Sequence, residues 1–196
     1  GDVTGRHDGY VVGYGAVAIY RKAGEENDIF LTAEERGQLL EIAHNSVVET
    51  VKRSYEGTPP YADTIISGRL HVAGGAFVTI RHQGAFRGCI GRVQTSDALY
   101  RTVYQVAQAA ALQDPRFPPI SREELEGLTV SISVLGPLMP LDAIEDLIIG
   151  DHGLYISRDS MSGLLLPQVA SSRGWDQEAF LAQTCEKAGL PPDAWE

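Results

Sequence analysis

Residues 76–90, AFVTIRHQGAFRGCI, hold two runs of strand-forming residues separated only by His82, Gln83 and Gly84. So short a connection joins antiparallel neighbours, because a parallel return needs a crossover of about a dozen residues or more. The stretch reads as a β-hairpin, and whatever sheet contains it is antiparallel there. Its second strand carries FRGCIG at 86–91, which sets Cys89, one of the chain's two cysteines, between glycines.

Around the hairpin the apolar spacing changes to that of helices. Thr32 and Glu35 form a capping box, followed on one face by Leu39, Ile42, Ala43, Val47 and Val51, with Gly57 and Pro59-Pro60 as the stop. A second helix is expected over TSDALYRTVYQVAQAAAL, capped by Thr95 or Ser96, with Leu99, Val103, Val106 and Ala110 on its buried stripe. The prolines of QDPRFPPIS forbid regular helix after it, and Ser121 with Glu124 makes a second capping box over a short turn. LTVSISVL alternates as a strand, with Val130, Ile132 and Val134 on one face and Thr129, Ser131 and Ser133 on the other. GLYISR and GLLLPQV read as paired strands around DSMS. A closing helix starts near Asp176, buries Phe180, Leu181 and Cys185, and stops at Gly189. At the other end, residues 1–22 are glycine-rich and finish in a strand-like run, VVGYGAVAIY, with AGEEND after it as a linker.

Charge and composition exclude some functions. With 26 acids against 16 Lys and Arg, a net charge of −10 argues against nonspecific nucleic-acid binding. No apolar run reaches the roughly 20 residues of a membrane span. Two cysteines 96 positions apart suggest neither a disulfide framework nor a zinc site, and no signal pattern opens the chain, so a cytoplasmic location is expected. His44 and His71 have no ligand-spaced partner. Between Asp63 and Asp97, however, there is no acid, while Arg69, Arg81, Arg87 and Arg92 lie there with His71 and His82. That window is either a set of solvated arginines or a local positive field for a small anion or an acidic partner.

The candidate site lies inside this window. Side chains two apart on a strand share a face, so Arg87 and Cys89 point the same way about 7 Å apart, close enough for the guanidinium to favour thiolate. Gly88 and Gly91 leave room beside the sulfur for a ligand or for another backbone. The expected helix start at Thr95–Asp97 is a possible anion cradle, and the hydroxylated face of TVSISV continues the same floor. Cys89 is then a nucleophile with His152, in GDHGLYI, as candidate base. The opposing reading makes Cys89 a small packing residue. Cys185, on an amphipathic stripe, reads as core.

FVTIRHQGAFRGCIG, QDPRFPPIS with EEL, ISVLGP, HGLYI, and GLLLPQVA through KAGLPPDAW together resemble the AMME chromosomal region protein family, whose prokaryotic members are called AmmeMemoRadiSam system protein A. The likeness runs in order over residues 30–196. It implies an α+β fold of two lobes, with an antiparallel sheet flanked by helices and the RGCIG segment lining a cleft between them. Residue by residue, Arg87, Gly88, Cys89, Ile90 and Gly91 match the family signature, Asp114, Pro115, Arg116 and Phe117 a second segment, and His152 and Gly153 a third. Cys89 and His152 are the candidate catalytic residues, and Arg87, Gly88, Gly91 and Arg116 the candidate ligand-binding ones. No metal or cofactor is expected. The implied partners are a Memo-type protein and a radical S-adenosylmethionine enzyme, besides a small anionic ligand. Residues 1–22 resemble the last strand of a Memo-type domain, so the expected division is that remnant, a linker at 23–30 and an AMME-type domain at 31–196. The remnant is expected to pack outside the main core or to reach a neighbouring molecule. Gly136 and Ser172 depart from the family pattern, and relatives add a strand after Trp195, so the sheet is expected to lack an edge strand. The family's activity is not established. The expected role is an accessory component acting through the Arg87/Cys89 cleft, and the alternative is a cysteine-dependent enzyme acting on a small anion.

Overall fold

The computed structural model describes residues 16–21, 31–53, 68–136 and 138–195. In chain order these form β1 (Ala16–Arg21), α1 (Ala33–Arg53), β2 (Ala76–His82), β3 (Ala85–Arg92), α2 (Leu99–Leu112) and β4 (Leu128–Val134). There follow β5 (Met139–Pro140), β6 (His152–Arg158), β7 (Met161–Leu165), α3 (Pro167–Arg173) and α4 (Gln177–Ala188). They fall into two compact units, one containing α1 to β4, the other containing β1 together with β5 to α4. Residues 1–15 and 22 of the expected remnant at 1–22, the linker at 23–30 and the helix stop at 57–60 lie outside the described residues.

In the first unit the capping box forms as expected. The Thr32 N–H donates to Glu35 Oε2 at 2.7 Å, and the Glu35 N–H to Thr32 Oγ1 at 3.2 Å. The predicted face of α1, Leu39 to Val51, is buried. Helix α2 starts later than expected, at Leu99, with Ala98 as a cap that has no side-chain acceptor. Its first turn is held by backbone instead: Leu99 N–H donates to Val72 O at 2.8 Å, beside a bridge between Ala73 and Ala98. Thr95 Oγ1 accepts from Asp97 N–H in a local turn, so the cradle expected at Thr95–Asp97 is not a helix N-terminus. The predicted stripe of α2 is buried, and so are Tyr100, Tyr104 and Ala107, because the helix is covered on more than one side. Ser46 Oγ of α1 donates to Tyr104 O, and Gln108 Nε2 donates to Thr50 Oγ1.

The three strands of this unit run in the order β3-β2-β4, all antiparallel. Gln83 and Gly84 turn the hairpin with φ of 50° and 82°, the two positive angles that match the twist of the flanking strands. One irregularity interrupts it. Ile80 faces Gly88 but Arg81 faces Phe86, so Arg87 is the extra residue of a β-bulge.

The second unit has a four-stranded sheet of order β5-β1-β6-β7. β6 and β7 pair around Asp159 as the sequence suggests, but the expected strand GLLLPQV ends at Leu165. Pro167 cannot donate to a ladder and instead opens α3 in the first turn, where a missing N–H costs nothing. α4 is capped by Asp176 Oδ1, which accepts from Ala179 N–H, and ends at Gly189 in the left-handed region. Phe180, Leu181 and Cys185 are buried, and burial pushes the Cys185 thiol pKa up. The stretch expected to pack outside the core supplies an interior strand. β1 pairs with β6 at six positions, from Ala16 opposite Ser157 to Arg21 opposite His152, and with β5 on its other side. No helix among the described residues is long and apolar enough to cross a membrane.

Candidate functional site

Helices α1 and α2 cover the face of the first unit's sheet on which Val78 and Ile80 are fully buried. The opposite face carries a row across all three strands. Cys89 on β3 stands opposite Thr79 on β2, and Thr79 opposite Ser131 on β4. Phe77, Gly91 and Ser133 form the next row. The thiol is half-buried, and Thr79 Oγ1 donates to its Sγ at 3.3 Å.

β3 is an edge strand, so the backbone groups of Cys89 that point away from β2 need partners elsewhere. The proline-broken segment after α2 supplies them. Cys89 N–H donates to Asp114 Oδ2 at 2.8 Å, and Arg116 Nη2 donates to Cys89 O at 3.2 Å. Asp114 is buried and grips Arg116 at both oxygens, accepting from Nε at 2.8 Å and from Nη2 at 2.6 Å. That hydrogen bonding holds the Asp114 carboxyl well below the usual carboxylate range, against the opposing pull of burial. The Arg116 guanidinium also lies 5.0 Å from the ring centre of Phe86, which in turn packs on Phe117. Cys89 is therefore fixed through its main chain by an ion pair and through its side chain by a hydroxyl.

Arg87 turns to the same segment. Its Nε donates to Glu124 Oε1 at 2.6 Å and its Nη2 to Glu124 Oε2 at 3.0 Å, with a further contact to Pro119 O. The bidentate pair lowers the Glu124 pKa to about 2. The expectation that Arg87 and Cys89 share a face assumed unbroken alternation, and the bulge at Arg87 removes that assumption. The guanidinium is engaged by a carboxylate rather than standing free beside the thiol. Elsewhere in the acid-free window Arg69 pairs with Glu35 at 3.8 Å, Arg92 with Asp97 at 3.3 Å, and Arg81 donates to Gly84 O. The neutralising acids come from α1, from the window's own border and from the turn after α2.

Both glycines of the motif are filled by protein. A Cβ at Gly88 would lie 2.5 Å from Ala110 O, so the residue is needed for α2 to approach the sheet. A Cβ at Gly91 would fall 2.2 Å from the Phe77 ring, which covers it. Gly88→Ala is expected to lower stability by about 1–3 kcal/mol through overpacking against a helix backbone, measured by urea unfolding.

The structure thus gathers Cys89, Arg87, Gly88, Gly91 and Arg116 around β3. His152 belongs to the second unit. It is buried as the first residue of β6; its backbone N–H donates to Ile148 O, and its ring Nδ1 accepts from Ile148 N–H at 3.1 Å. That nitrogen is already engaged in tying the turn before β6. Sequence reasoning missed three partners. Thr79 had no signal beyond its register, Glu124 was read only as a cap, and Asp114 was matched without a role.

The AMMECR1 family model matches residues 40–196, which contain this cluster and both of its ion pairs. The chain belongs to the AMMECR1 family. It is 44% identical over 167 residues to the protein TK0174 of Thermococcus kodakarensis, covering 80% of each chain. It is 39% identical to PH0010 of Pyrococcus horikoshii, covering 85% of each. The crystal structure of PH0010, an uncharacterized protein, matches with a TM-score of 0.74 at 38% identity, over 84% of this chain and 85% of that one. The AMMECR1 fold is α+β with antiparallel sheets, as the resemblance implied.

Proposed function

We propose that this AMMECR1-family chain is a binding component that acts with a Memo-type protein and a radical S-adenosylmethionine enzyme, and that the sheet face around Cys89 is where a partner docks. The observation that carries this reading is the immobilisation of Cys89. Its N–H and C=O are tied to Asp114 and Arg116, and the hydroxyl that hydrogen-bonds its sulfur is that of Thr79, which is no general base. Arg87 and Arg116 are each neutralised by a carboxylate of the same unit, so a small anion would have to displace Glu124 or Asp114 to use them. A rigid, nearly neutral face with a cation-aromatic rim suits a protein surface, which loses less on ordering against a preformed site. The Memo-like resemblance of residues 1–22 enters this proposal only for the part ahead of β1, since β1 itself pairs within the second unit; a partner fused there would be held at high effective concentration.

The test is titration calorimetry of each partner into wild type, Cys89→Ser and Cys89→Trp. A docking face tolerates Cys89→Ser within about threefold and loses at least about tenfold in affinity with Cys89→Trp. Should Cys89→Ser abolish a partner-dependent reaction while binding persists, the cysteine-dependent enzyme replaces this reading.

A further inference from the structure

We propose that β4 is the interface of a symmetric dimer, in which two copies of this chain pair β4 with β4 antiparallel about Ser131. The reasoning begins with how the two edges of the first unit's sheet differ. A sheet edge is a row of unpaired N–H and C=O groups that natural proteins blunt with bulges, charges, prolines or covering segments. The β3 edge has such protection: the bulge at Arg87, and Asp114 and Arg116 on the backbone of Cys89. Among the described residues the β4 edge has none of these devices. Leu128–Val134 has no proline, no charged residue and no break in its register with β2, the one strand that pairs with it among the described residues.

The register then fixes which groups face outward. Cys89 N–H is bonded to Asp114, so Cys89 and Thr79 are a non-hydrogen-bonded pair and Thr79 directs its backbone groups to Ser131. Along β4, Thr129, Ser131 and Ser133 therefore bond inward to β2, while Leu128, Val130, Ile132 and Val134 present their N–H and C=O outward. The occupant follows from the sequence of that strand. LTVSISV is a palindrome in character about Ser131: Val130 matches Ile132, Thr129 matches Ser133 and Leu128 matches Val134. A two-fold axis at Ser131 sets Val130 opposite Ile132 of a second copy, and Thr129 opposite its Ser133. Every outward backbone group is then paired, apolar side chains meet apolar ones, and hydroxyls meet hydroxyls. Because the strand is uncharged, two chains of net charge −10 meet there with no like charges opposed. The result is one sheet of six strands, with the Cys89–Thr79–Ser131 row continued into its mirror row. The two thiols lie about 24 Å apart, five strand spacings.

The experiment is sedimentation equilibrium of the full chain, Ser131→Asp, Ser131→Lys and their equimolar mixture, with circular dichroism to verify folding. Wild type is expected at twice the 21.2 kDa of one chain. Each charge variant sets like charges on the axis and should weaken dimerisation by more than about tenfold, while the mixture restores it. If the variants misfold, oxidation of Ser131→Cys in a Cys89→Ser background is the second measurement, because a non-hydrogen-bonded pair has the Cα spacing of a disulfide. A wild-type monomer at sub-millimolar concentration overturns the proposal, whatever other strand the edge accepts. So does a dimer that both charge variants leave intact, or a Ser131→Cys chain that forms no covalent dimer.

Discussion

Deleting residues 1–24 is expected to unfold the second unit of this chain. β1 is an interior strand, and its loss strips β6 of six paired positions and leaves β5 with no strand partner among the described residues. Half a dozen ladder bonds at about 0.5–1.5 kcal/mol each come to several kcal/mol, comparable with the whole net stability of a small domain. The loss is also topological, because an order of β5-β1-β6-β7 has no other strand to close the gap. Hydrogen exchange resolves the two units. In the deletion variant the amides of β6 and β7 should lose protection by more than about a hundredfold, while those of β2 and α2 keep theirs. Unchanged protection in β6 would mean that residues 16–21 are an appendage, as the sequence alone suggested.

That reversal shows where local reading stops. The capping box at Thr32, the turn at Gln83-Gly84 and the Asp176 and Gly189 caps are decided within four or five residues, and each was legible. So was the alternation of β4. The place of β1 is decided by β6, more than a hundred residues away, and no local pattern in AVAIYR distinguishes an interior strand from a peripheral one. The start of α2 failed for a related reason. Thr95 and Ser96 are good caps by type, yet Val72 O, from a turn before the hairpin, takes the Leu99 N–H and sets the boundary.

The site shows the same division. FRGCIG identified Cys89 and its neighbourhood, and it raised the right question about the glycines. The answer lay in tertiary partners: Gly88 is small for Ala110 of α2, and Arg87 is cationic for Glu124, 37 residues on. Counting acids along the chain suggested a positive field, whereas folding imports the missing carboxylates. Net charge in a window is a statement about sequence neighbours, and ion pairs are made between spatial ones.

Asp114→Ala is expected to cost about 2–4 kcal/mol and to loosen Cys89 more than any change at the cysteine itself. The substitution leaves the Cys89 N–H without its acceptor, a loss of about 1–3 kcal/mol, and releases Arg116 from a buried carboxylate. Removing one partner of a fully buried pair costs about 3–5 kcal/mol, but the Arg116 side chain is 55% exposed and rehydrates, which holds the figure down. The pH dependence has the sign of depressed carboxylates. Asp114 and Glu124 both have folded pKa values below their unfolded ones, so their stabilisation is complete above the ordinary carboxylate range and fades as pH falls. For Glu124 the loss runs from 4.5 down through about 2 and amounts to about 3 kcal/mol. Urea unfolding of the wild type across that interval should show stability dropping with acid. Glu124→Gln should flatten the slope, and Asp114→Ala should lower the whole curve at neutral pH. Iodoacetamide labelling at pH 7 supplies the local readout: Cys89 should react faster in Asp114→Ala than in wild type, with Cys185 slow in both. An unchanged urea midpoint together with unchanged labelling would show that the Asp114–Arg116 pair does not hold the Cys89 backbone, and the preformed binding face would lose its physical basis.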